Sequence, residues 1–416
     1  MPVTQGALEL QDRIAGHFLP DPPETLGVAV SGGSDSLALL HLLAAWGGAR
    51  LRVVTVDHGL RPEAATEARH VAALCASLGL SHDTLRWDGW DGQGNLSDRA
   101  RQARYGLMAD WARTHAIGDI ALGHTADDQA ETLLMRLARR AGIDGLAAMA
   151  PRRDINGVTF HRPMLRLTRK ALRAELTRRG VSWVDDPTNA DGTYRRVQAR
   201  RALAALAPLG LTAEGLTQSA HHLAEARDTL AHYTEIEARN TVHFQCGDIL
   251  LDRAGMAGLR ADIARRILRG ALGWVAGPGY GPRGHELDTA LDAVLSGRQT
   301  TLYGCMIMAG DSQTRITREY SAVKTCTAAP GALWDGRWRL SGPELPGADI
   351  RALGPEGRAA CPDWRETGLP LAAIEASPAV WQGPSLIAAP LAGLPNGWSA
   401  ELCRTSDDFF ADLLSH

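Results

Sequence analysis

Short apolar runs and longer segments of helical spacing alternate along the first half of the chain. Leu26-Gly27-Val28-Ala29-Val30 is continuous and short, as a buried strand requires. A polar turn, Ser31-Gly32-Gly33-Ser34-Asp35-Ser36, separates it from Leu37-Ala38-Leu39-Leu40-His41-Leu42-Leu43, dense enough in apolar residues for a buried helix. The rhythm repeats. Residues 51–56 form a second buried strand ending in Asp57-His58-Gly59-Leu60-Arg61, with a helix over 63–78. A weaker strand at 84–87 precedes a helix over 96–114. Ile120-Ala121-Leu122-Gly123 is a third clear strand, followed by a helix over 127–140. Such alternation predicts an α/β fold with a parallel sheet flanked by helices. Ligands bind such sheets beyond the carboxyl ends of the strands, and 31–36, 57–61 and 123–131 all follow strands.

The pattern then changes. Residues 160–165 suit an edge strand and 170–179 a helix. Pro208 and Gly210 interrupt any helix, so a boundary is expected at 206–211. Helices are predicted at 213–240, 260–274 and 285–295, and a hairpin pairing 300–303 with 313–317 around Gly310-Asp311-Ser312. After residue 328 the chain is rich in Pro, Gly and Trp. Three domains are therefore expected: 1–205 α/β, 206–327 mostly helical, and 328–416 small and β-rich. In the last, Trp334, Trp338, Trp364, Trp381 and Trp398 are expected to pack a core.

Composition narrows the class. The 416 residues are 45% hydrophobic and 22% charged, enough for two or three cores. No apolar run reaches membrane-spanning length, and residues 1–18 lack a basic start with an apolar block, so a cytoplasmic location is expected. The six cysteines form no CxxC, which argues for reduced thiols without zinc or an iron–sulfur cluster. Net charge is −3, yet residues 136–201 hold 16 Arg and Lys against 6 Asp and Glu. A local balance of +10 on an otherwise acidic chain suits a nucleic-acid footprint.

The Ser31–Ser36 turn offers backbone N–H groups, helix-start N–H groups and serine hydroxyls, which together hold phosphate. No lysine follows the last glycine, so it is not a Walker loop; backbone dipoles, a metal or distant arginines must supply the positive charge. Asp57-His58 suits a ribose or adenine pocket. In Gly123–Thr132, Asp128 and Glu131 share a helix face, as Asp127 and Glu131 could instead. Carboxylates beside phosphate can hold Mg²⁺ or bind and deprotonate an amine; they also suit a helix start for dipole reasons alone. Arg101 and Arg104 lie on one face of a helix, and one of them could reach phosphate.

Ser31–Ser36 resembles the loop of the PP-loop ATP-pyrophosphatase superfamily. Together with Val56–Arg61, Ala100–Tyr105, Gly123–Thr132 and Asp186-Pro187-Thr188-Asn189 it resembles, within that superfamily, the tRNA(Ile)-lysidine synthetase family over residues 25–201. The resemblance implies a ligase that uses ATP and Mg²⁺ to adenylate C2 of the wobble cytidine, through its oxygen, in isoleucine tRNA with a CAU anticodon. Free lysine then displaces AMP. It implies that Ser31, Gly32, Gly33, Ser34, Asp35 and Ser36 cradle ATP with Asp35 at the metal, and that His58 sits by the nucleotide. His124, Asp128 and Glu131 would contact lysine and the transition state, Arg101 the phosphates, and Arg195, Arg196 and Arg200 the tRNA. Arg196 stands where the family has Asn, and Arg139-Arg140 precedes Ala141-Gly142 where the family has an Arg-Gly pair. A tRNA thiolase is the enzymatic alternative, disfavoured because Cys75 alone precedes residue 200. A non-catalytic nucleotide- or RNA-binding protein would not need Asp35 and the Asp128/Glu131 pair. A homodimer and a monomer fit the sequence equally.

Overall fold

The computed structural model describes residues 5–59, 64–87, 89, 96–184, 195–277, 281–282 and 284–414. The Leu60-Arg61 and Asp186–Asn189 motifs lie outside them. The chain divides into two compact units, Met1–Arg227 and Asp228–His416.

The first unit is built in the expected alternation. Its elements are α1 (Gln5–Phe18), β1 (Thr25–Ala29), α2 (Ser34–Trp46), β2 (Arg50–Asp57), α3 (Ala64–Ser77), β3 (Ser81–Arg86), α4 (Leu96–Thr114) and β4 (Asp119–Leu122). Then come α5 (Ala126–Leu137), α6 (Ile143–Leu146), β5 (Arg152–Ile155), β6 (Val158–His161), α7 (Arg169–Arg178), α8 (Arg195–Leu206) and α9 (Ala213–Thr241), which runs on past the boundary. The sheet order is β3-β2-β1-β4-β6-β5, parallel except for the β5–β6 hairpin at one edge. The order reverses at β1, between β2 and β4, and a crevice opens there above the strand ends. Helix α2 is apolar nearly all round, so it is buried on every side. Leu37, Leu39, Leu40, Leu42 and Leu43 are fully inaccessible in one core with Leu26, Val28, Val53 and Leu172.

Helix α7 packs on α2, and Glu175 anchors it there. Its carboxylate accepts from Arg178 at 2.7 and 2.8 Å and from Arg179 at 2.6 Å, while Arg179 also donates to the His41 carbonyl. The hydrogen bonds from Arg178, then those from Arg179, hold the Glu175 pKa below its ordinary 4.5 against the effect of burial. A depressed carboxylate supplies stability above its unfolded pKa and loses it as pH falls through the folded value. Glu175→Gln is therefore expected to flatten the acid limb below about pH 4.5 in denaturant melts, leaving the neutral limb shifted by a constant amount; an unchanged acid limb would refute this.

In the second unit a five-stranded antiparallel sheet runs in the order Val242–Gln245, Asp248–Asp252, Gln313–Arg318, Cys305–Ala309, Thr300–Leu302. Helices Ala261–Ala276, Gly284–Leu295 and Ser406–Leu414 complete its core. Two three-stranded sheets follow residue 328. The expected mostly helical 206–327 segment thus contains a sheet, and the hairpin around Gly310 pairs Gln313–Arg318 with Cys305–Ala309, not with 300–303. No unit boundary falls at 205/206 or 327/328. Pro208 sits in a single 3₁₀ turn, Ala207–Leu209, and Leu216 and Ala220 of α9 pack with Leu133 of α5, which keeps that end of α9 in the first unit. At the other end, Phe409 and Phe410 return to the core of the five-stranded sheet. Trp334, Trp338, Trp381 and Trp398 are buried, and Trp364 packs against the same cores. Among the described residues, no helix is long and apolar enough to cross a membrane.

Candidate active site

The crevice beyond β1, β2 and β4 is a cavity of about 560 Å³. Its floor is the Ser31–Ser36 turn. Gly32 takes φ +84°, a conformation that favours glycine. Ser36 closes the turn: its hydroxyl donates to the Gly33 carbonyl at 3.0 Å and accepts from the Ser31 N–H at 3.1 Å. Gly33 is the N-cap of α2 and has no side chain to cap it, so first-turn N–H groups face the cavity without a capping acceptor. That is the local chemistry of an anion site.

Opposite the turn stands the start of α5. Thr125 and Asp128 form a capping box, in which Asp128 Oδ2 accepts from the Thr125 N–H at 2.9 Å and hydroxyl at 3.1 Å. One carboxylate oxygen thus caps the helix, and the other, Oδ1, faces the Arg169 Nη2 at 3.4 Å. Asp127 has a different task. It accepts from the Arg169 backbone N–H at 2.7 Å, and the Leu167 carbonyl accepts from the Ala126 N–H at 2.9 Å, so the starts of α5 and α7 are stapled together. The staple delivers the Arg169 side chain to Asp35, Nε to Oδ2 at 2.9 Å, and to Glu131 at 3.7 Å. Glu131 is 1% exposed and also pairs with Arg200 at 2.9 Å; its second oxygen has no hydrogen-bond partner among the described residues.

These contacts set the charges. Burial raises the Asp35 pKa above 3.8, outweighing the Arg169 charge and hydrogen bond. Burial also pushes Asp128 up, but Arg169 and the Thr125 N–H outweigh it and hold Asp128 below the usual carboxylate value. Burial works against the Arg169 cation, yet Asp35 and Asp128 raise its pKa further. His124 is pushed down, chiefly by burial and then by Arg162 and Arg104, so its imidazole is neutral at pH 7. His58 is likewise lowered by burial and by Arg104; its ring lies edge-on to Trp87.

Ser31, Gly33, Ser34, Asp35, Ser36, His58, His124 and Asp128 line one cavity, with Gly32 buried at the turn beneath them. Glu131 lies under Arg169 and Arg200, behind the lining. Arg101 does not reach the cavity: it is exposed on α4, over the Tyr105 ring, while Arg104 one turn later lines the wall. Arg200 is turned inward onto Glu131 and lines the cavity; Arg195 and Arg196 are exposed at the start of α8. Sequence reasoning missed Arg169 and Arg173, whose Nε donates to Ser34 Oγ at 3.2 Å. One signal was available. Arg169 and Lys170 open a helix with no acid in its first turn, where the dipole disfavours cations, so distant carboxylates had to compensate.

A PP-loop domain profile matches residues 7–207. The chain is 52% identical over 419 residues to a tRNA(Ile)-lysidine synthase of Ruegeria pomeroyi, covering all of both chains. It is 39% identical over 334 residues to a tRNA(Ile)-lysidine synthase of Brucella ovis, covering 74% of this chain and 72% of that one. A PP-loop facing an arginine-bound acid cluster, in a chain alike from end to end, has one reading: the chain belongs to the tRNA(Ile)-lysidine synthase family.

Proposed function

We propose that this chain uses ATP to join free lysine to C2 of the wobble cytidine in isoleucine tRNA with a CAU anticodon, forming a carbon–nitrogen bond and releasing AMP and pyrophosphate. The observation that carries this reading is that the phosphate turn and the Asp128 acid cluster line the same cavity. Phosphate binding alone needs only the turn. Carboxylates on the opposite wall suit a cationic second substrate.

The turn N–H groups and the start of α2 hold the ATP phosphates, in a cavity whose walls carry the positive charges of Arg104 and Arg173. Cytosine O2 attacks the α-phosphorus and the α–β bridging oxygen leaves with pyrophosphate. The ε-amine lone pair of lysine then forms a bond to C2, and the C2–O2 bond breaks with its electrons leaving on AMP. O2 alone is a poor leaving group; as a phosphate ester it leaves readily. Before attack the ammonium must lose a proton, and Asp128, held ionised by Arg169 until substrates bind and accepting from the Thr125 N–H, can orient it and accept that proton. Neutral His124 beside it offers a hydrogen bond without adding a repelling charge.

Among the described residues no three His, Cys, Asp or Glu side chains cluster to hold a metal, so an all-protein cage is not offered. Mg²⁺ commonly binds through one or two carboxylates plus substrate phosphates, and Asp35, beside the turn and facing Asp128 across Arg169, fits that role. Bound there it would supply Lewis-acid neutralisation of charge on the phosphates. The wobble base must leave its stack to enter, as single-stranded RNA bases do in recognition. A tRNA substrate and the use of ATP support a cytoplasmic location.

Protein, Mg-ATP, labelled lysine and CAU-anticodon transcript are expected to yield lysidine on digestion of the tRNA. Pyrophosphate released with another substrate while lysine never enters the tRNA would leave only the PP-loop class. The exposed Arg195 and Arg196 are expected to contact tRNA phosphates. Alanine at both should weaken tRNA binding and flatten the slope of log affinity against log salt by roughly 0.7–0.9 per lost contact. An unchanged slope would assign them to a solvated helix face.

A further inference from the structure

Arg169 opens α7 at the positive end of the helix dipole, with no acid in its own first turn. Its guanidinium is held there by Asp35 at 2.9 Å, Asp128 at 3.4 Å and Glu131 at 3.7 Å, carboxylates from two separate chain segments. Under the reading proposed above, on which this inference rests, those same carboxylates receive the reaction's two cations: the divalent metal at Asp35, and the lysine ammonium at Asp128 and Glu131. Among the described residues Glu131 keeps a buried oxygen without a partner, so the cluster has acceptor capacity that Arg169 and Arg200 leave unfilled.

We propose that Arg169 is a resident counter-ion that occupies, in the nucleotide-free enzyme, the place between Asp35 and Asp128 that a divalent cation would otherwise take. It is a positioning residue. Metal then enters only with nucleotide, because the phosphates give both the metal and the displaced guanidinium new oxygen partners. Free metal offers Arg169 nothing in exchange, and Coulomb repulsion between two cations sharing Asp35 disfavours joint occupancy. Lysine gains Asp128 and Glu131 only once Arg169 has shifted toward the phosphates, so nucleotide binds before lysine.

The test is titration of the nucleotide-free full chain with Mn²⁺, reading free Mn²⁺ by electron paramagnetic resonance. Wild type is expected to bind Mn²⁺ weakly until ATP is added. Arg169→Gln should bind Mn²⁺ at least about tenfold more tightly than wild type without nucleotide, and Arg169→Gln/Asp35→Asn should lose that gain. Arg169→Lys, whose ammonium lacks the guanidinium fork, should gain about threefold. It carries the comparison if the glutamine variant fails to fold. The proposal is overturned if wild type binds Mn²⁺ as tightly without ATP as with it, if the folded variants show no gain, or if the gain survives Asp35→Asn. Mn²⁺ binding does not depend on lysidine formation. Absence of lysidine from wild type with these metal results intact would overturn the functional reading, and the reverse would overturn the counter-ion alone.

Discussion

Asp35→Asn is expected to lower the rate of tRNA-dependent pyrophosphate release by at least about 10³-fold, while the protein melts at or above the wild-type temperature. The rate follows from charge. Under the proposed role of Asp35, a metal at the phosphates would supply on the order of 4 kcal/mol of transition-state stabilisation, equivalent to about 10³ in rate, and asparagine would be a poor ligand for it. The stability follows from burial, which raises the Asp35 pKa above its unfolded value despite Arg169. A carboxylate with a raised folded pKa favours the folded state only while protonated, so its ionisation at neutral pH opposes folding. Asparagine removes that opposition, can still accept from the Ser34 hydroxyl, and leaves Arg169 with Asp128 and Glu131. Active sites commonly carry such destabilising charges. Stopped turnover with an intact melt supports the assignment; normal turnover would remove Asp35 from the mechanism.

Much of the first unit was legible because its central strands β1, β2 and β4 are largely buried and read as apolar runs. The turn and α5 were legible because phosphate binding and helix capping need particular residue types at fixed spacing. What escaped was set by partners distant in sequence. The +10 balance of residues 136–201 counts charges without saying where they point. Arg136 donates to the Gly145 and Ala148 carbonyls, Arg162 to that of Ala150, and Arg169 and Arg200 to the acid cluster, so the surface footprint is smaller than the count. The β5–β6 hairpin could have been found, since Asn156-Gly157 is a strong turn signal. The hairpins at Cys246 and Tyr303 could not. Both residues take positive φ, 47° and 55°, which neither residue type announces.

Gly123→Ala is expected to raise the KM for ATP and lower kcat/KM by about 10- to 100-fold, with a loss of about 1–3 kcal/mol in stability. A Cβ at Gly123 would meet the Ser36 Cα and N at 3.0 Å and the Asp35 carbonyl carbon at 3.2 Å. These are backbone atoms, so no rotamer change relieves the clash. Nor can the turn retreat. Ser36 ties it to Gly33 and Ser31, and α2 behind it is wedged into the core by five inaccessible leucines. A shift of a few tenths of an ångström must therefore fall on the N–H groups proposed to hold the phosphates, and binding that depends on several donors aimed at one ligand tolerates little displacement. Gly118 is the matched control. It precedes the other end of β4, and a Cβ there meets nothing within 4 Å, so Gly118→Ala should leave KM and kcat unchanged. Wild-type kinetics for Gly123→Ala would mean that the phosphate turn does not depend on its contact with the end of β4.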